Sequence, residues 1–197
     1  MKKQIILSKE DLTNFLNKDS MSCGLPFKKR GIVTRLQSIL FCSEEWKFVK
    51  SLRWLEYCEN TLKHKNIFGF VQWCIAKYKF RKLSIKLGYS IPINVFGPGL
   101  SLPHRGNIII NPNTIIGENC RIHVGVNIRA HKDGAPIIGN NVYIGPGAIL
   151  FGKIIIGNNV SIGANATVTK SFEENNVVIA GTPAKIVKYN YKAWNEE

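Results

Sequence analysis

Three histidines stand where side-chain chemistry at neutral pH would matter. They are His104 in Pro103-His104-Arg105-Gly106, His123 after Arg121-Ile122, and His131 in Arg129-Ala130-His131-Lys132-Asp133. An imidazole titrates near neutrality, so it can take a proton from an attacking hydroxyl, donate to a developing oxyanion or ligate a metal. Arg105, Arg129 and Lys132 lie beside these histidines and could pair with an anionic group of a substrate. The cysteines Cys23, Cys42, Cys58, Cys74 and Cys120 form no CxxC pair and have no zinc-ligand spacing. They read as reduced thiols, as expected in a cytoplasmic protein.

A six-residue period must position the histidines. Ile110, Ile116, Ile122 and Ile128 hold it, and Ile138, Ile144, Leu150, Ile156, Ile162 and Val168 resume it. Small or aliphatic residues recur four positions later at Val142, Ala148, Ile154, Val160 and Ala166. Neither a helix of 3.6 residues per turn nor an alternating strand sustains such a period, and a short repeat with a turn residue is the mark of a parallel β-helix. Three units make one coil. The period fails twice, within 103–107 and between Ile128 and Ile138, and loops ejected from a rigid solenoid tend to carry its binding chemistry. Because Ile110 and Ile116 fill the other two sides, Leu102 and Ile122 share one side in successive coils. His104 and His123 are therefore predicted to meet on one groove, about one strand spacing (~4.8 Å) apart plus the contribution of the loop.

Upstream of this region the pattern is helical. Glu44 to Lys63 and Ile67 to Arg81 carry apolar residues at helical spacing, with a joint near Asn66 to Gly69. The chain therefore divides into a helical cap over 1–90, a β-helix over 91–188 and a tail over 189–197 that leaves the prism. Charge follows the division. Residues 1–90 hold 18 Lys and Arg against 7 acids, a net of +11, whereas 91–197 hold 9 against 6, a net of +3. Clusters such as Lys28-Lys29-Arg30 and Lys77-Tyr78-Lys79-Phe80-Arg81-Lys82 form a solvated face or meet an anionic membrane, an acidic polymer or a phosphorylated cofactor. No nucleic-acid-binding motif accompanies them, so no nucleic-acid partner is expected. The apolar run near the start is too short for a secretory signal, and no apolar stretch is long enough to span a bilayer, so a soluble protein that is not exported is expected.

Four segments carry a resemblance: Gly97-Pro-Gly-Leu-Ser-Leu-Pro-His104-Arg-Gly, Ile144-Gly-Pro-Gly-Ala148, Ile162-Gly-Ala164-Asn-Ala-Thr-Val-Thr-Lys170 and Val178-Ile-Ala-Gly181-Thr-Pro-Ala-Lys185. Together they resemble the serine acetyltransferase branch of the hexapeptide-repeat acetyltransferases, most closely members found with polysaccharide genes. That resemblance implies a left-handed prism, a homotrimer with active sites between subunits, and acetyl-CoA lying along the groove. It implies direct acetyl transfer with His104 as general base and no acyl-enzyme. The oxyanion donor would be a backbone amide, His123 or His131. Gly145, Ala164, Ala180 and Gly181 would line the pantetheine arm, with Lys170 and Lys185 meeting the CoA phosphates.

The chain departs from that branch at three positions. Pro103 replaces the aspartate that precedes the catalytic histidine, Gly134-Ala135-Pro136 replaces Arg-His-Pro, and Tyr89 stands where an orienting acid is usual. A serine carboxylate without a cationic partner binds poorly, so a sugar hydroxyl, as in capsule or other surface polysaccharide, is the preferred acceptor and L-serine the alternative. Arg105, Arg129, His131 and Lys132 are the candidate acceptor contacts. A zinc β-helix carbonic anhydrase is a remote alternative, since His123 and His131 are wrongly spaced for its ligand set and no metal is expected. A non-catalytic scaffold is the other.

Overall fold

The computed structural model describes residues 2–24 and 43–195. The Lys28-Lys29-Arg30 cluster and Cys42 lie outside the described residues. Helix α1 spans Lys9–Ser22 and starts where the Ser8 hydroxyl accepts from the Asp11 amide. Helix α2, Glu44–Tyr57, is capped in the same way by Ser43 and runs into a π-helical turn over Cys58–Leu62. Helix α3, Ile67–Leu87, begins at Asn66, whose side chain accepts from the Gly69 amide, and ends at Gly88 in the left-handed conformation. Each cap satisfies an amide that the first turn of a helix leaves without a partner.

Two expectations about this half need correction. Gly69 sits inside α3, not in a joint, and a Cβ there would collide with the Leu62 carbonyl. The helix also continues past Arg81, because Leu83 and Leu87 maintain the spacing that packs α3 onto the core.

From Tyr89 onward the chain is a parallel β-solenoid with three faces. The first face stacks Tyr89–Ser90, Ile108–Ile110, Asn127–Arg129, Ile149–Phe151 and Thr167–Val168. The second stacks Ile115–Ile116, Ile137–Ile138 and Ile155–Ile156, and the third stacks Arg121–Ile122, Tyr143–Ile144, Ser161–Ile162 and Val178–Gly181. A last strand, Ala184–Lys188, turns back antiparallel on the third face. Tyr89–Ser90 already pairs with Ile108–Ile109, so the solenoid starts two residues before the boundary expected at 91.

The period and its second set point inward as read. Ile122, Ile128, Ile138, Ile144, Leu150, Ile162 and Val168 are all fully buried, as are Val142, Ala148, Val160 and Ala166. Burying such a column of aliphatic side chains is the main force holding the coils together. The corner before the third face is held by a different device. Asn119, Asn141, Asn159 and Asn176 each take a positive φ, and their side-chain amides link in series at 2.9, 2.8 and 2.8 Å.

A buried ionic cluster joins the cap to the prism. Arg53, fully buried on α2, meets Asp19 of α1 at 2.8 Å and Glu56 at 3.0 Å. It also donates to the carbonyls of Phe96 and Gly97 at 3.0 and 2.7 Å, while Asp19 accepts from the amides of Gly99 and Leu100. The tail does not leave the prism as expected. Tyr191 donates to the Asn176 carbonyl, and Trp194 donates to the Asn119 carbonyl and stacks on Arg121 at 4.3 Å.

Candidate active site

Register decides where the histidines fall. Ser101 bridges Arg121 in parallel, so Leu102 and Ile122 lie on the third face one coil apart, and each is followed by the turn toward the first face. His104 and His123 therefore stand on the same corner, with ring centroids 5.8 Å apart and planes inclined by 50°. This is the meeting the residue count predicts.

The 103–107 loop is pinned from both sides. The buried Tyr89 hydroxyl donates to the His104 carbonyl at 2.8 Å, and the Gly106 amide donates to the Leu87 carbonyl at 3.0 Å. In the next coil, the Gly125 amide donates to the Asn107 carbonyl at 2.7 Å. Gly106 takes a φ of 138°, and any Cβ there would collide with the Val124 side chain. The position therefore requires glycine on both conformational and steric grounds. The loop backbone is thus fixed while the His104 side chain projects into solvent.

His123 has a different environment. Its ring is partly buried against Tyr143, with centroids 4.9 Å apart, and its Nε2 is buried without a hydrogen-bond partner. Burial holds its pKa below the ordinary histidine value, and the neighbouring His104 and Arg121 lower it further. His123 is therefore neutral at pH 7 and can donate through one ring nitrogen while accepting through the other.

His131 stands elsewhere. It follows the first face, in a tight turn where His131 and Gly134 exchange backbone hydrogen bonds at 2.9 and 3.0 Å. Its ring contacts Asp133 at 3.0 Å and packs edge-on against Phe151. Arg129 and Lys132 share this corner, Arg129 being held by the Asn127 side chain at 2.9 Å. The single-chain structure therefore does not bring His131, Arg129 or Lys132 to the histidine pair. Only Arg105 neighbours His104, with its exposed guanidinium 4.0 Å from Glu45. Among the described residues no group of three His, Cys, Asp or Glu side chains is arranged to hold a metal, and the three imidazoles of a zinc site do not converge within one chain.

Below the histidines the same corner is lined by small residues. The register of the third face aligns Ile122, Ile144, Ile162 and Ile179, so His123, Gly145, Gly163 and Ala180 follow one another down the column, with Ala164 and Gly181 one position outward. Ala164 and Gly181 are exposed along this corner. Gly145 is buried, and its missing side chain makes room for the backbone of Gly163 and Ala164 in the coil below. It serves coil packing. Lys185 pairs with Ala180 across the final antiparallel strands, beside the lower end of the column. Lys170 follows the first face instead, over the Phe172 ring at 5.3 Å, on the corner that carries His131.

Sequence reasoning missed Arg121, Tyr143 and the hydroxyl of Tyr89. Arg121 and Tyr143 are register partners on the third face, each one residue before an inward isoleucine, so the count that placed His123 could also have placed them.

Comparison with known proteins agrees with this fold. Residues 135–170 match the family model described as bacterial transferase hexapeptide (six repeats). The chain is similar to a serine acetyltransferase of Buchnera aphidicola subsp. Schizaphis graminum, 32% identical over 127 residues, which span 59% of this chain and 48% of that relative. It thus spans about half the length of the curated relative it matches. Its fold is shared with a crystal structure of a serine O-acetyltransferase from Brucella melitensis, with a TM-score of 0.68 and 22% identity, covering 91% of this chain and 71% of that one. It is also shared with serine acetyltransferase from Brucella abortus strain S19 in complex with coenzyme A, with a TM-score of 0.67 and 20% identity over 93% of this chain and 70% of that one. The parallel β-solenoid is thus a hexapeptide-repeat one, and the relatives named here are serine acetyltransferases.

Proposed function

We propose that the chain is an acetyl-CoA-dependent O-acetyltransferase whose active centre is the His104–His123 corner. The observation that carries this reading is the paired imidazoles, with ring centroids 5.8 Å apart, at the head of a column of small residues. His104 is the solvent-facing base, and it takes the proton as the acceptor oxygen attacks the thioester carbonyl. His123, neutral and partly buried, donates to the oxyanion of the tetrahedral intermediate. The carbon–sulfur bond then breaks, and the departing CoA thiolate takes the proton from His104. Acetyl ester and free CoA are the products, with no acyl-enzyme between them. Ala164, Ala180 and Gly181 let the pantetheine arm approach the backbone, and Lys185 meets a phosphate as a point charge.

The acceptor best supported is L-serine. The relatives named above are serine acetyltransferases, and this displaces the sugar hydroxyl preferred from the sequence. One observation keeps a sugar hydroxyl as the second reading: among the described residues the cations nearest the histidine pair are already engaged, Arg105 lying 4.0 Å from Glu45 and Arg121 stacking on Trp194. A homotrimer supplies the rest of the proposal. A neighbouring copy, related by a threefold axis, would present its own Arg129, His131, Lys132 and Lys170 corner to this groove. We place the reaction in the cytoplasm, where acetyl-CoA is available and the cysteines stay reduced.

The test is a thiol-release assay with acetyl-CoA against L-serine and against sugars and nucleotide sugars. L-Serine turnover supports the main reading, and turnover of a sugar alone transfers the assignment to the second. His104→Ala should lower kcat by at least about a hundredfold while CoA binding, followed by calorimetry, stays near wild type. Transfer that survives this substitution removes His104 from the role of base.

A further inference from the structure

Helix α3 has two apolar faces, and only one is used. Trp73, Ala76, Phe80, Leu83 and Leu87 pack toward α2 and the core. On the opposite face, Val71, Tyr78 and Ile85 recur every seven residues, with Ile75 between them, and their exposures are 47%, 61%, 73% and 50%. Ile67 and Phe68 extend the stripe at 69% and 75%. Large apolar side chains this exposed along one helix face mark an interaction surface.

Charge identifies the partner. The helix contains Lys77, Lys79, Arg81, Lys82 and Lys86, and not one Asp or Glu. By helical angle, Lys77 and Arg81 flank the stripe on one side, Lys79 and Lys86 flank it on the other, Lys86 being paired with Glu44 at 2.9 Å, and Lys82 lies within it. A second copy of the same face would bring these cations against one another, which opposes self-pairing. An acidic polymer would satisfy the cations but leave Val71, Ile75 and Ile85 in water. An anionic bilayer satisfies both, because acyl chains receive the stripe while the lysine and arginine stems reach up to the headgroups. Among the described residues no helix is long and apolar enough to cross a membrane, so α3 would lie in the interface and not span it.

We propose that α3 docks this protein onto an anionic lipid surface, with Val71, Ile75, Tyr78 and Ile85 immersed and its basic residues at the headgroups. This inference does not depend on the acetyltransferase reading. The experiment is flotation of the full chain with vesicles of equal parts phosphatidylglycerol and phosphatidylcholine, and with phosphatidylcholine alone. Binding is expected only to the anionic vesicles, weakening with salt. Lys79→Gln and Arg81→Gln should each lower the affinity on the order of fivefold. Ile75→Glu and Ile85→Glu should each lower it by more than about tenfold, with circular dichroism unchanged because both side chains are exposed. Failure to float with anionic vesicles overturns the proposal. So does binding that the glutamate variants leave intact, which would indicate a polyanion site, or a lipid-independent oligomer that those variants disperse, which would indicate self-association.

Discussion

Two imidazoles on one corner differ in what surrounds them, and that difference sets their pH behaviour. His123 is partly buried between His104 and Tyr143, and both burial and the nearby positive charge act against its protonation. Its folded-state pKa lies below the ordinary value of about 6.5, so the unfolded chain takes up that proton first as pH falls. The resulting stability is complete above about pH 6.5 and is lost as pH drops through the folded-state value. Nuclear magnetic resonance of the ring protons should show His123 titrating below a reference histidine, and Arg121→Ala should move it back upward. Titration of His123 at or above the reference value would remove the reason for treating it as a neutral donor. The pairing of His104 with His123 was legible from the six-residue count, because Leu102 and Ile122 define one face. The role of Tyr89 was not. Its alignment with an orienting acid suggested only a missing carboxylate, whereas its hydroxyl holds the backbone of the His104 loop.

At the level of elements, the cap is more than a lid on the first coil. Arg53 connects α1, α2 and the first coil through two carboxylates and two backbone carbonyls, all out of contact with water. Removing the cation leaves Asp19 and Glu56 buried and unpaired, and breaking such a pair costs roughly 3–5 kcal/mol. Arg53→Met should therefore lower the urea midpoint by that equivalent, whereas replacing all three charged residues by apolar ones should cost less. Equal losses in the two variants would mean that packing, not charge pairing, dominates there. Nothing local in the sequence announces this cluster, since its members come from positions as far apart as Asp19 and Leu100 and follow no period. The solenoid was readable because each coil repeats the same short-range rule. The cap was readable only as helices, and even there α3 extends beyond the stretch its pattern suggested. The tail was misread for the same reason, since the stacking of Trp194 on Arg121 joins residues far apart in the chain.

Over the whole molecule, the coils between the histidine pair and the closing antiparallel strands set a length. Ile144 and Ile162 are register partners eighteen residues apart, so excising residues 145–162 would join equivalent points of adjacent coils and leave every inward column in step. Such a protein should still fold, with the asparagine series shortened by one member and a lower melting temperature. Its groove would be shorter by about 4.8 Å, one strand spacing. Under the proposed function, KM for acetyl-CoA should then rise several-fold, on the scale of one or two lost contacts of about 1 kcal/mol each, while His104 and His123 remain paired. A KM unchanged by the excision would mean that the donor does not run down this corner. The stack of coils is, in that sense, a ruler: the number of turns below His123 measures out how long a donor the protein can hold.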